Sequence, residues 1–143
     1  MNYREIVSER LRPLANYPYL STEFYEDSFS TVMENRNPTM LGHFAGGDMA
    51  YIANAAAAAQ CAAEGVFAQS ASINVECIAK GDGEVLVANA EIVHMGKKMI
   101  RTRCKVYARK NGEDSLVAIA QVNLSPLADK GKAIYAADVA QSA

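Results

Sequence analysis

The chain has 143 residues, half of them hydrophobic, which is enough to bury the core of one domain. Its 14 basic and 16 acidic residues nearly balance, so no electrostatic footprint for nucleic acid or for an anionic membrane surface is present. No uncharged run of about 18 apolar residues is available to span a bilayer, and the start MNYREIVSERLR is charged where a secretory signal would be apolar. We therefore expect one domain over 1–143, in the cytoplasm, with no nucleic-acid or membrane partner.

The N-terminal segment predicts a short amphipathic helix over about 2–13. Its apolar residues recur at helical spacing at Tyr3, Val7, Leu11 and Leu14. Pro13 is expected to end the helix. Residues 21–34 mix aromatic, β-branched and acidic residues, which favours a strand with one solvated face. The segment NRNPTMLGH, rich in turn-forming residues, predicts a loop up to Gly42.

The segment Gly47–Glu64 predicts a long helix that is apolar on nearly every side. It contains the run Ala55–Ala59, and alanine combines the highest helix propensity with a very small side chain. A helix that is apolar all round must be buried. Gly65 supplies a C-terminal stop. We therefore expect a sheet to pack closely along this helix.

Four strands are predicted after the helix, separated by the turn sequences KGDGE, HMGKK and RKNGED. In MIRTRCKVYAR, apolar or small residues alternate with basic ones, which indicates a strand with one wet face. ASINVECIA alternates similarly, whereas EVLVANAEIV and SLVAIAQVNL are partly apolar on both faces, as central strands are. Asn111-Gly112 marks a hairpin. The order predicts an α+β fold with the four strands in a meander, followed by a frayed tail over about 128–143.

The three cysteines are predicted to be small buried hydrophobic residues. Cys61, Cys77 and Cys104 are odd in number and widely spaced, with no Cys-x-x-Cys pair. This pattern favours neither a disulfide framework nor a zinc site, and free cysteine is most often interior. We expect no metal.

The order of elements, together with the segment GHFAGGDMA at the start of the central helix, resembles the hotdog fold of the acyl-CoA thioesterases, particularly the phenylacetate-degradation type, over about 21–127. That fold is an antiparallel sheet wrapped around a long central helix. The family pattern is Asn-x-x-Gly-x-x-His-Gly-Gly, then six residues and an acid. The glycine places are occupied by Gly42, Gly46 and Gly47. The other three places hold Thr39, Ala45 and Asn54 instead of Asn, His and the acid.

The resemblance assigns thioester binding to the start of the helix. Backbone N–H groups of Gly46 and Gly47 are suited to polarise an acyl carbonyl, because a helix start presents unpaired donors and glycine lets a ligand approach. The alternative is that these glycines only permit the turn into the helix. His43 is a candidate donor from the loop. Asp48 is the nearest carboxylate and is a catalytic candidate. The alternative is that it only stabilises the helix start.

Asn54 stands at the place of the family's catalytic acid. An amide can orient a water molecule or a carbonyl group, but it has no titrating group to act as a general base or a nucleophile. Its alternative role is that of a buried amide satisfied by backbone groups at a dimer interface. Glu76 and Glu91 are expected on solvated strand faces.

The resemblance also assigns the phosphates of coenzyme A to Lys97, Lys98 and Arg101 beside the HMGKK turn. A plain solvated hairpin is the alternative. It further implies a homo-oligomer, a dimer or a dimer of dimers, with sites between subunits. No cofactor is expected, since coenzyme A is part of the substrate.

Three functions follow from this pattern. The first is an acyl-CoA thioesterase, a hydrolase in which Gly47, Asn54, Asp48 and His43 are the candidate catalytic residues. The second is a hotdog protein that binds acyl-CoA or acyl groups without turnover. The third is a hydroxyacyl dehydratase, whose motif also begins with GHF. It ranks last because AGGDMA has no proline and Met49–Gln60 contains no acid.

Overall fold

A computed structural model describes residues 2–12, 14, 17, 19–35 and 42–127. The elements are α1 Tyr3–Arg10, β1 Leu20–Phe24, β2 Phe29–Glu34, α2 Gly46–Ala63, β3 Ala68–Cys77, β4 Val85–Met95, β5 Ile100–Lys110 and β6 Glu113–Pro126. The expectations for Pro13, for the Thr39 position and for the tail over 128–143 lie outside the described residues. None of the described helices is long and apolar enough to cross a membrane.

The strands form one six-stranded antiparallel sheet in the order β1-β2-β4-β5-β6-β3. Helix α2 packs on this sheet, which confirms the predicted α+β architecture. The predicted four-strand meander is wrong. Strands β4, β5 and β6 form a meander, but β3 pairs with β6 at the far edge of the sheet. The KGDGE segment is therefore a crossing connection, and it is held to the start of α2 by a bridge between Gly81 and Phe44.

The predicted single strand over 21–34 is a hairpin. Strands β1 and β2 pair from Leu20 with Met33 to Phe24 with Phe29. The N–H of Tyr25 donates to the carbonyl oxygen of Ser28 at 2.8 Å and closes the turn. Four residues, 25–28, lie between the two strands. The physical reason for the turn lies in Asp27 and Ser28, whose side chains bond readily to nearby backbone and favour turns over strands.

The core lies between α2 and the sheet. Ile52, Ala53 and Ala56 on α2 are buried against Leu86 of β4 and Val106 of β5. Because alanine projects so little, the helix and the sheet approach closely, as the sequence predicts. Helix α1 covers α2 from another side through an apolar cluster that includes Val7, Leu11 and Ala59.

Helix α2 ends where the sequence predicts. Gly65 has a φ of 82°, and its N–H donates to the carbonyl oxygen of Ala62 at 2.9 Å. The N–H of Val66 donates to the carbonyl oxygen of Cys61 at 3.0 Å. These two bonds form a Schellman motif, which requires a left-handed residue and therefore favours glycine.

The cysteine prediction is correct for two residues and wrong for the third. Cys61 and Cys104 are buried, and burial raises the pKa of Cys61 to about 11 and that of Cys104 to about 12. Cys77 is exposed. It ends the edge strand β3, so no further strand of the described chain covers it.

An ion-pair network joins β1 to the β5–β6 hairpin. Arg109 donates to Glu23 through Nη1 at 2.7 Å and Nη2 at 3.2 Å, and to Asp114 through Nε at 2.7 Å. The hydrogen bond from Arg109 is the main cause that lowers the pKa of Glu23 below its ordinary value of about 4.5, and Tyr25 contributes a second bond. Glu23 is about one-third exposed, so solvent screens this pair.

We expect Glu23→Gln to lower thermal stability at pH 7 but not at pH 2 to 3. A carboxylate with a lowered pKa in the folded state contributes stability above its unfolded pKa, and this contribution is lost as the pH falls through the folded value. The difference at pH 7 is about 1 kcal/mol or less, as for other exposed pairs. Melting temperatures measured from pH 2 to 8 test this. Glu26→Gln, in the β1–β2 turn, is the control, and an equal effect of both variants would contradict the assignment.

Candidate active site

The start of α2 presents two free backbone donors. Gly46 and Gly47 occupy its first two positions, and within the described chain the N–H groups of both have no hydrogen-bond acceptor. Neither residue has a positive φ. A Cβ placed on Gly47 would meet nothing within 4 Å, so neither the turn nor the packing of the subunit requires glycine there. The exposed N–H groups leave room for a ligand.

Asp48 is engaged at the helix start. Its Oδ2 accepts from the N–H of Ala45 at 2.9 Å. This is the contact of a first-turn acid that stabilises a helix N-terminus. The carboxylate therefore lies at the candidate site with one oxygen occupied.

Asn54 lies two helical turns beyond Gly47, on nearly the same side of α2. It is half-buried, and its Oδ1 accepts a hydrogen bond from the Oγ of Ser70 on β3. Sequence reasoning missed Ser70. The alternation in β3 gave no indication of it, because the register shifts at a bulge between Ser70 and Ser72. The pair of Asn54 and Ser70 therefore presents an amide and a hydroxyl where α2 contacts β3.

Strand β3 contacts α2 near both ends of the strand. A Cβ on Gly46 would lie 3.4 Å from the Sγ of Cys77 at the end of β3, and Ser70 at the other end contacts Asn54. Between these ends, Ile73 on β3 is 44% exposed and Tyr51 on α2 is 41% exposed. The surface formed by α2 and β3 thus exposes apolar side chains in a single subunit.

His43 lies in the loop before α2. It is half-buried, and its Nδ1 is 3.0 Å from the carbonyl oxygen of Phe44. Phe44 is itself held by its bridge to Gly81, with a hydrogen bond of 2.8 Å from its N–H to the carbonyl oxygen of Gly81. The imidazole of His43 therefore lies against the backbone of the loop that leads to Gly46.

The structure does not bring the basic residues to the start of α2 within one subunit. Lys97 and Lys98 lie in the β4–β5 turn, and Arg101 follows at the start of β5, all exposed. The β4–β5 turn is next to Ile100, which pairs with Leu124 of β6, whereas Cys77, which lies beside Gly46, pairs with Ala118 of β6. Leu124 and Ala118 are six residues apart, so the turn and the start of α2 are separated by about 20 Å along the strand direction.

Glu76 and Glu91 are exposed on strands, as the sequence predicts. In the sheet they pair with Ile119 and Arg103, respectively. No group of three His, Cys, Asp or Glu side chains in the described residues is arranged to hold a metal ion.

Comparison with known proteins shows the fold. No protein-family model and no curated protein sequence matches this chain. A thioesterase family protein from Silicibacter pomeroyi is similar in structure, with a TM-score of 0.73, 17% identity, and coverage of 88% of this chain and 98% of that chain. The E. coli PaaI protein of the phenylacetic acid degradation operon has a TM-score of 0.73, 14% identity, and coverage of 89% and 97%.

A third structure, BH2602 from Bacillus halodurans with CoA, has a TM-score of 0.68, 21% identity, and coverage of 88% of this chain and 93% of that chain. These likenesses extend over most of the chain. The protein thus has the hotdog fold seen in structures of the thioesterase superfamily, as the sequence resemblance predicts.

Proposed function

We propose that this protein binds an acyl-CoA thioester at the start of α2 and hydrolyses it. The observation that carries the proposal is the pair of exposed, unpaired N–H groups of Gly46 and Gly47, with the amide of Asn54 two turns along the same side of α2. Two such donors stabilise negative charge on a carbonyl oxygen during acyl transfer. The CoA in the BH2602 structure belongs to that protein and supports the same class of ligand here.

The proposed reaction is attack of water on the thioester carbonyl carbon. Within one subunit, Gly47 and Asn54 are about 10 Å apart along α2, so the proposed site lies between subunits. The carbonyl oxygen accepts hydrogen bonds from Gly46 and Gly47 of one subunit, while Asn54 and Ser70 of the other subunit orient the water. The C–S bond breaks, the coenzyme leaves as a thiolate, and it takes up the proton that the water loses. Neither Asn54 nor Ser70 can hold that proton at neutral pH, so this pair positions water without acting as a general base.

Binding without turnover is the second candidate function. The observation that favours it is that Asp48, the carboxylate adjoining Gly47, already accepts a hydrogen bond from Ala45. A steady-state assay with acyl-CoAs of increasing chain length, alongside calorimetric binding, separates the two functions. Binding with turnover supports the hydrolase, binding without turnover supports the second candidate, and the absence of both contradicts the proposed site.

The free edge of β3 supports a homodimer. Strand β3 pairs with β6 on one side, and no described strand lies on its other side. If two subunits join antiparallel at this edge about a two-fold axis, the Ser70 end of one strand lies near the Cys77 end of the other. The Lys97–Lys98 turn of one subunit then approaches Gly46 and Gly47 of the other. A monomeric mass by light scattering at micromolar concentration would contradict this arrangement.

We expect Lys97→Ala with Lys98→Ala to weaken binding of acyl-CoA about three- to tenfold, because two exposed charge-assisted contacts to phosphate are lost. Binding of the matching acyl pantetheine thioester, which lacks the nucleotide, should not change. Calorimetric titration with both ligands measures the difference. Lys105→Ala, at an exposed lysine on β5 away from the turn, is the control. An equal loss for both ligands would contradict a phosphate contact.

A further inference from the structure

Strand β4 is longer than the strand that pairs with it on one side. Strand β2 pairs with β4 from Glu34 with Val85 to Thr31 with Ala88. Beyond Ala88, β4 continues to Met95 and pairs with β5, with a bulge between Ile92 and His94. On the β2 side, the Oγ of Ser30 donates to the Oδ1 of Asn89, but no strand of the described chain pairs with 89–95. On each side of the bulge, alternate residues direct their N–H and C=O groups outward, which is a template for a further strand.

A cavity of about 660 Å³ lies along this open edge. One wall is formed by residues 89–92 and Met95 of β4, and the others by the β1–β2 turn, the last turn of α2 and the start of α1. Tyr3 and Tyr25 line it, both partly exposed. The open strand edge and the cavity thus form one groove, the β4 groove, on the opposite side of the sheet from the β3 edge.

The charges in the β4 groove have one sign. Asp27, Glu64 and Glu91 line it, and the lining includes no Lys, Arg or His. None of the three carboxylates forms an ion pair with a described residue. Burial is the main cause that raises the pKa of Tyr3, and the charges of Glu64 and Asp27 raise it further. The groove therefore favours a cationic occupant.

We infer that the β4 groove binds an extended, basic peptide segment of a partner protein as an additional strand on β4. The backbone of the segment pairs with residues 89–95. Its Lys or Arg side chains on the α2 side of the sheet lie against Asp27 and Glu64, and those on the other side lie against Glu91. This is binding by strand addition, in which backbone hydrogen bonds hold the segment and side chains give selectivity. The inference does not depend on the proposed function at α2.

Two other occupants fit less well. A second copy of this chain would bring an equally acidic groove to face the first, and like charges at close range repel. A small polyamine would contact the carboxylates but would leave the outward N–H and C=O groups of β4 unpaired. The open edge and the charge together favour a basic peptide.

The test uses the full chain and a seven-residue peptide of alternating Lys and Val, acetylated and amidated at its ends. We expect binding by calorimetry at low salt and slower amide hydrogen exchange over residues 89–95. A second peptide has the same side chains and charge but carries N-methyl groups on two adjacent central amides. Successive N–H groups of a strand point to opposite edges, so one of the two methylated amides faces β4 in either register and cannot donate a hydrogen bond. It should bind at least tenfold more weakly.

The protein variant that tests the charges is Asp27→Asn with Glu64→Gln. We expect about three- to tenfold weaker binding of the Lys-Val peptide, the loss typical of two partly exposed ion pairs. Glu76→Gln with Glu113→Gln carries the same change of charge away from the groove and should bind as the parent does. The inference is overturned if the peptide fails to bind, if 89–95 is not protected, or if the N-methylated peptide or spermidine binds and protects equally well.

Discussion

The change Asn54→Asp is expected to raise the rate of thioester hydrolysis by about 10²- to 10⁴-fold, the usual contribution of a positioned acid or base. Asn54 lies on the same side of α2 as Gly47, and its Oδ1 already accepts from Ser70. An aspartate at this position can accept the same hydrogen bond with one oxygen. Its second oxygen is then free to take a proton from water.

The pH dependence identifies the mechanism of this variant. A half-buried carboxyl has a raised pKa, and a general base works in its deprotonated form, so activity should rise with pH through that value. The measurements are kcat/KM from pH 4 to 9, binding of acyl-CoA and the melting temperature. Asn54→Ala is the matched control, and it should bind acyl-CoA without the gain in rate.

A folded Asn54→Asp variant that binds acyl-CoA and hydrolyses no faster at any pH would show that Asn54 does not face the thioester. If the unchanged protein is already fast, another group is the base. Asp48 and His43, both beside Gly46 and Gly47, are then the next residues to replace.

The change Ile52→Ala is expected to lower the free energy of unfolding by about 2–5 kcal/mol, because it removes a large side chain from a filled core. Ile52 is 0% exposed, and its side chain packs between α2, to which it belongs, and the sheet. At about 2–4 °C per kcal/mol for a chain of this size, the melting temperature should fall by about 4–20 °C.

The control for this change removes the same atoms from an exposed isoleucine. Ile119, on the outer face of β6, is 39% exposed, so Ile119→Ala should shift the melting temperature much less. Both variants are measured at one protein concentration, because association would make the melting temperature depend on it. Equal shifts would contradict the placement of Ile52 at the centre of the core.

Local chemistry determined several features that the sequence predicts correctly. Helix α2 was expected over 47–64 and spans Gly46–Ala63, since alanine propensity and the left-handed Gly65 act within a few residues. Asn111 and Gly112 have φ values of 53° and 80° and form the predicted hairpin, because the turn matches the twist of its strands. The burial of alternate residues along β5 also follows directly from the two-residue period.

The candidate site was predictable only in part. The glycine spacing and the place of Asn54 can be found in the sequence, because they lie within one short segment. The contact with Ser70 and the nearness of Cys77 to Gly46 depend on where β3 joins the sheet. No local pattern specifies that position.

The sequence by itself thus determined the elements whose hydrogen bonds close within a few residues, namely α2, its C-terminal stop and the β5–β6 hairpin. Only the tertiary structure decided the order of the strands, the exposure of Cys77, the open edge of β4 and the separation of Lys97 and Lys98 from Gly47. The physical reason is that strand pairing joins residues distant in the chain. A strand has the same alternating pattern whether it lies at the centre or at the edge of a sheet.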